Sequence, residues 1–215
     1  WYSFKRSVGD IGNLFLLFRY LQVYEGLNWN KQQKEFSDIL IKEKLLTPSK
    51  NSEDSSANSR GIKKVFELLG LCFVDEQEKL QITSAGKKFL QSTSNEELYE
   101  IKTSQLLKYQ INNPLIKSKN FAEMQIKPFP FLLKLLVNLE NQSISTTEFK
   151  LFLSRAHNID EFENILELIK NWRNLGDVEK DKIKNKLTNS SIYEKISGYS
   201  GYSMVFFGKS SFTEI

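Results

Sequence analysis

Asn58-Ser59-Arg60-Gly61-Ile62-Lys63-Lys64-Val65-Phe66-Glu67-Leu68-Leu69-Gly70 runs into Leu71-Cys72-Phe73-Val74-Asp75, then a polar turn, Leu80-Gln81-Ile82-Thr83, and Ser84-Ala85-Gly86-Lys87-Lys88-Phe89-Leu90. The first segment reads as a short helix with a basic, polar N-terminal half. A tight two-strand hairpin follows, and a second helix closes the stretch. That order is the local grammar of a winged helix, a module that usually places one helix in a DNA groove.

Upstream, Ile11 to Glu25 carries Leu14, Leu17, Phe18 and Leu21 at helical spacing, which predicts a core helix. Asn30 to Leu46 repeats the pattern with Phe36, Ile39, Leu40 and Leu45, and Pro48 ends it. The Ser-, Asn- and acid-rich stretch from Thr47 to Asn58 reads as an exposed loop. Downstream, Asn95 to Gln110 is expected to be a helix with Leu98, Ile101, Leu106 and Leu107 facing inward. Asn112-Asn113-Pro114 and the basic Lys117-Ser118-Lys119 interrupt the helical pattern. Very apolar Phe129 to Leu139 predicts a central helix. Ser145 or Thr146 can cap the helix that runs to Leu153, and Glu161 to Trp172 forms another. Asp177 to Ser203 is lysine-rich, then rich in Asn, Ser, Gly and Tyr, and is expected to be loop. Met204 to Ile215 has the look of a second hairpin.

The expected fold is therefore mainly α with small β-hairpins, arranged as two tandem winged-helix-like subdomains. The first spans residues 1–111, the linker 112–127 and the second 128–215.

Composition narrows the partners. Of 215 residues, 40% are apolar and 26% charged, ordinary for a globular protein with a real core. No apolar run approaches the roughly 20 residues that span a bilayer, so no membrane partner is expected. One cysteine, Cys72, excludes a disulfide within the chain, and its apolar surroundings suggest buried packing. One histidine, His157, excludes a zinc site of the common Cys/His type. Trp1 is not an initiator Met and no leader is evident, so a fragment of a cytoplasmic protein is expected. The net charge of +4 favours a polyanion without naming one.

In a winged helix the residues at the start of the third helix face the major groove. Arg can donate two hydrogen bonds to guanine, and Asn can pair with adenine in the same bidentate way. Asn58, Ser59 and Arg60 occupy that start, and Lys63 and Lys64 lie one turn on. Arg60 is the candidate for a base edge, and the two lysines for phosphates. The competing reading is a basic outer face on a core helix that touches nothing. Lys180, Lys182, Lys184 and Lys186 read as a solvated face or loop.

Catalytic patterns are thin. Thr83 to Lys88 lacks P-loop spacing, with Lys88 where Ser or Thr should stand, and a helix start capped by Thr83 explains it better. Glu-x-Lys, the carboxylate and lysine pair of Mg²⁺-dependent nucleases, occurs as Glu100-Ile101-Lys102 and Glu148-Phe149-Lys150. Both lie in helical segments without a strand-borne Asp, so neither is assigned catalysis. His157, after Arg155 at a helix end, has no triad partners.

Taken in order, Asn58 to Asp75, Ile82 to Lys87, Gln105 to Gln110 before Asn113-Pro114, Pro130 to Leu139 and the opening Trp1-Tyr2 with Arg6 resemble the N-terminal part of the AlwI family. These are type IIS restriction endonucleases and their nicking relatives. The resemblance implies a recognition region for a short asymmetric duplex DNA site, with a separate Mg²⁺-dependent nuclease domain outside this chain. The chain itself is then expected to bind, not cut, and to need no cofactor. A second nuclease subunit is an optional partner. Ser59 and Arg60 match a Ser/Thr-Arg pair at the head of the family's helix. Arg6 stands near an Arg of its opening segment, although the usual Ser-Pro-Arg setting is missing. With Asn58, Lys63, Lys64, Lys117 and Lys119, these form the expected DNA-binding set. The alternative from another class is a winged-helix regulator or protein-interaction module using Phe129/Phe131 and Phe206/Phe207 as its surface.

Overall fold

The computed structural model describes residues 10–47, 56–112 and 124–188. They are mainly helical with one small antiparallel sheet. They form two compact units that divide between Leu106 and Leu107. Arg6, Lys117, Lys119 and the expected hairpin at 204–215, with Phe206 and Phe207, lie outside the described residues.

In the N-terminal unit, α1 (Ile11–Gln22) starts where the Asp10 carboxylate accepts from the Asn13 N–H, and it buries Leu14, Leu17, Phe18 and Leu21 as its spacing predicts. Helix α2 (Trp29–Lys42) is capped by Asn28 and buries Trp29, Phe36 and Leu40. Helix α3 (Ala57–Leu68) buries Ile62, Val65, Phe66 and Leu68. The Phe18 ring lies 4.7 Å from Phe66 and 5.9 Å from Phe89, so α1, α3 and a later helix share one aromatic centre.

Gly70 ends α3 because its φ of +65° suits a residue without Cβ. Its N–H donates to the Glu67 carbonyl and the Leu71 N–H to the Phe66 carbonyl, the paired bonds of a Schellman turn. The chain then enters β1 (Cys72–Val74), which pairs with β2 (Leu80–Ile82) with Phe73 opposite Gln81. In the turn, the Asp75 carboxylate accepts from the Lys79 and Gln77 N–H groups and from Gln81 Nε2. The Lys79 bond leads the contacts that hold its carboxyl below the ordinary value.

Sequence periodicity gave no sign of a further backbone pairing to the hairpin. The segment between α1 and α2 nonetheless pairs with the hairpin: the Gly26 N–H donates to Leu80 O, Leu80 N–H to Leu27 O, and Trp29 N–H to Glu78 O.

Helix α4 (Ser84–Gln91) begins at Thr83, whose hydroxyl accepts from the Gly86 N–H and lies 2.7 Å from the Gly70 carbonyl. A Cβ on Gly86 would stand 2.1 Å from the Leu71 carbonyl oxygen and 2.8 Å from a methyl of Ile82. The Thr-x-x-Gly pattern is thus a cap, as the sequence suggested, and in the structure also a close approach. Helix α5 (Asn95–Lys108) departs from expectation. It buries Leu98 and Leu106, but Lys102 and Thr103 complete its inner face, while Leu107 is exposed.

In the C-terminal unit, α6 (Pro128–Asn138) has Pro128 in its first turn, where the missing N–H costs nothing. It buries Phe129, Phe131, Leu132 and Leu135. Helix α7 (Thr146–Leu151) opens with a complete capping box between Ser145 and Glu148. Two short 3₁₀ turns lead to α8 (Phe162–Asn174), which buries Phe162, Ile165, Ile169 and Trp172. The rings of Phe131 and Phe162 lie 5.6 Å apart, and those of Phe152 and Trp172 5.7 Å. The loop expected from Asp177 is instead α9 (Asp177–Thr188). Its lysines are good helix formers, and Asp177 and Glu179 in the first turn suit the positive end of the dipole.

Arg173 on α8 binds the enclosed Glu148 carboxylate on α7, Nε to Oε1 at 2.7 Å, and donates from Nη2 to the Ser143 carbonyl. Burial alone would raise the Glu148 pKa, but bonds from Arg173 and Ser145 outweigh it and hold the group below its ordinary value.

Three outcomes follow from these contacts. Gly86→Ala should lower the urea midpoint, at a cost of about 2–3 kcal/mol, because backbone must move to admit the methyl; an unchanged midpoint would contradict the close approach. Arg173→Ala should cost about 3 kcal/mol by leaving Glu148 without its cation. With a depressed folded-state pKa, the Glu148 contribution is complete above its unfolded value, about 4.3, and is lost as pH falls through the folded one. Melting temperatures of Glu148→Gln should therefore vary less than those of the parent across that acidic range.

Candidate nucleic-acid interface

Packing of Ile62, Val65, Phe66 and Leu69 into the N-terminal unit sets the rotation of α3. Ala57 and Arg60 are exposed and Asn58, Gly61 and Lys64 half-buried, which makes a stripe along the opposite face. Arg60 and Lys64 thus share one face, as their spacing predicts. In this conformation Arg60 Nη1 donates to the Ser56 hydroxyl, so the guanidinium folds back over the helix start.

Ser59 is placed differently from its expected neighbours. It is fully buried, and its hydroxyl oxygen lies 2.8 Å from the Gln33 carbonyl of α2 and 2.7 Å from the Ser56 carbonyl. Its part is to join α3 to α2 beneath the stripe, because the 100° advance per residue turns it from the exposed side to the core.

Lys63 also leaves the stripe. Its Nζ donates to Glu67 Oε1 at 2.6 Å and lies 5.6 Å from the centroid of the Trp29 ring. Glu67 is only 7% exposed. Lys64 Nζ stands 3.9 Å from the other Glu67 oxygen. Sequence spacing counted both lysines alike; the enclosed acid that separates them was one turn further on.

The hairpin turn is acidic, with Asp75, Glu76 and Glu78 against Lys79. It is tied to the start of α2, since Asn28 Nδ2 and Asn30 Nδ2 each donate to Glu78.

The other candidate chemistry resolves into structure. Glu100 is exposed whereas Lys102, two residues on, is 1% exposed, so α5 sends them to opposite sides. Glu148 is committed to Arg173 and the capping box. Neither triplet fits a Mg²⁺ site, and among the described residues no group of three or more His, Cys, Asp or Glu side chains could hold a metal. Cys72 is buried, and burial followed by the Glu67 charge pushes its thiol far above the ordinary value, so it is inert. His157 is exposed with Nδ1 4.0 Å from Glu161. Phe129 and Phe131, considered as a protein-docking surface, are 0% and 1% exposed and belong to the core. No helix among the described residues is long and apolar enough to cross a membrane.

Comparison with known proteins supplies the family. No curated protein matches the chain. The family model described as AlwI restriction endonuclease matches residues 67–204. That range opens at Glu67 in the last turn of α3 and takes in the hairpin, α4, α5 and the helices of the C-terminal unit. More than half of the chain lies inside the match, and the chain belongs to the AlwI restriction endonuclease family.

Proposed function

We propose that this region is the sequence-reading part of a type IIS restriction or nicking endonuclease, and that its N-terminal unit is a winged helix that places α3 in the major groove of duplex DNA. A restriction endonuclease acts on DNA, so the family supplies the ligand class. The order α1, α2, α3, β1, β2, with the single antiparallel bridge of Asn28 to Lys79, supports the winged-helix reading. The observation that carries it is the Asn58, Arg60, Lys64 stripe, turned outward by the packing of Ile62, Val65, Phe66 and Leu68 on the opposite face. Arg60 would read a base edge and Asn58 assist, while Lys64, with Lys117 and Lys119 beyond the described residues, would bind phosphates. Ser59 would act from below by holding α3 on α2. The succession α6, α7, α8 supports a second unit of similar plan. Strand cleavage would use Mg²⁺ held by carboxylates outside the described residues.

Arg60→Ala should keep non-specific binding and lose about 1–3 kcal/mol of preference for the cognate site, roughly ten- to a hundredfold. Competition gel shifts against a library of duplexes measure this. If the variant discriminates sites as well as the parent, Arg60 does not read a base.

A further inference from the structure

We propose that Glu67 is a positioning residue that withholds Lys63 from the DNA backbone, so that Lys64 alone carries the phosphate contact in the middle of α3. This rests on the reading of α3 as the recognition helix. Glu67 lies in the last turn of α3, where the negative end of the helix dipole opposes a carboxylate, and it is nearly enclosed. It therefore requires a close cation, and Lys63 supplies one at 2.6 Å with its side chain 14% exposed.

On an open helix surface, lysine placed four residues before glutamate is the weaker order for such a pair. Here enclosure sustains it, together with the Trp29 ring 5.6 Å from Nζ. Trp29 opens α2, and its N–H donates to Glu78 in the hairpin turn. Lys63 accordingly sits where α2, α3 and the hairpin meet. Moving its ammonium to a phosphate would leave Glu67 enclosed without its nearest cation. Lys64 is differently set: its side chain is 27% exposed, and its 3.9 Å separation from Glu67 gives a much looser pair.

The salt dependence of binding separates a cation that binds phosphate from one that is merely structural, since removing one lysine–phosphate pair lowers the slope of log affinity against log salt by about one. The full chain would be titrated with a fluorescent random-sequence duplex across a series of KCl concentrations, after melts establish that each variant is folded. Lys64→Met should lower the slope by about one. The double variant Lys63→Met/Glu67→Gln removes the enclosed pair together, avoids stranding the acid, and should keep the parent slope. Glu67→Gln alone releases Lys63 and should raise the slope by about one. A double variant whose slope falls as far as that of Lys64→Met, or a Glu67→Gln slope equal to the parent's, would overturn the positioning role while leaving the DNA-binding reading intact. A parent chain without salt-sensitive binding would remove that reading, and this one with it.

Discussion

Everything that α3 presents to its surroundings depends on how it is seated against α1. Phe66 meets Phe18 at 4.7 Å, and Ile62, Val65 and Leu69 complete the contact. Rotation of α3 by one residue would bury Arg60 or expose Phe66, and either costs several kcal/mol. The apolar contact is thus what aims the polar stripe. The direction in which the stripe faces is a by-product of where the hydrophobic residues had to go.

The same seating explains why neighbours in sequence have separate duties. Ser59 and Arg60 are adjacent, yet one is fully buried and the other exposed. Lys63 and Lys64 are adjacent, yet one closes a pair with an enclosed carboxylate and the other stands further out. Behind them, the Schellman turn at Gly70, the Thr83 cap and the close approach of Gly86 to Leu71 return the chain onto the back of α3. The hairpin is fastened at its far end by Glu78, Asn28 and Asn30. Its acidic turn is poorly suited to phosphate contact, whereas α3, with Arg60, Lys63 and Lys64 against Glu67, is net positive, as is α4 with Lys87 and Lys88.

In the C-terminal unit an ion pair does comparable work. Arg173 joins the start of α7 to the end of α8 through Glu148 and the Ser143 carbonyl. Glu148 also completes the capping box, so one carboxylate serves a local and a tertiary purpose. That double commitment is why a sequence triplet suggestive of nuclease chemistry has a structural use here.

Much of this was legible in residue order. Apolar spacing located α1, α2, α3, α6 and α8, and Thr83 and Ser145, both named as candidate caps, cap α4 and α7, because caps and periodicity are local properties of the chain. The family was legible too, from motifs in sequence order. Local signals misled where charge took the place of hydrophobicity. The Asp177 segment looked like loop but is α9, since helix propensity and first-turn acids carry no apolar stripe to detect. Lys102 occupies an inner position on α5 that periodicity assigned to Ile101 and Leu107. The pairing of Gly26 to Trp29 with the hairpin depends on partners some 50 residues away, as the Asn28 to Glu78 separation shows. By itself, then, the sequence determined the helices with an apolar stripe and the caps at Thr83 and Ser145, for these depend on neighbours within a turn. Only the tertiary structure decided that Ser59 turns inward, that Phe129 and Phe131 are core, and that Glu67 captures Lys63, because burial and the cost of an uncompensated charge exist only once distant segments exclude water from the same space.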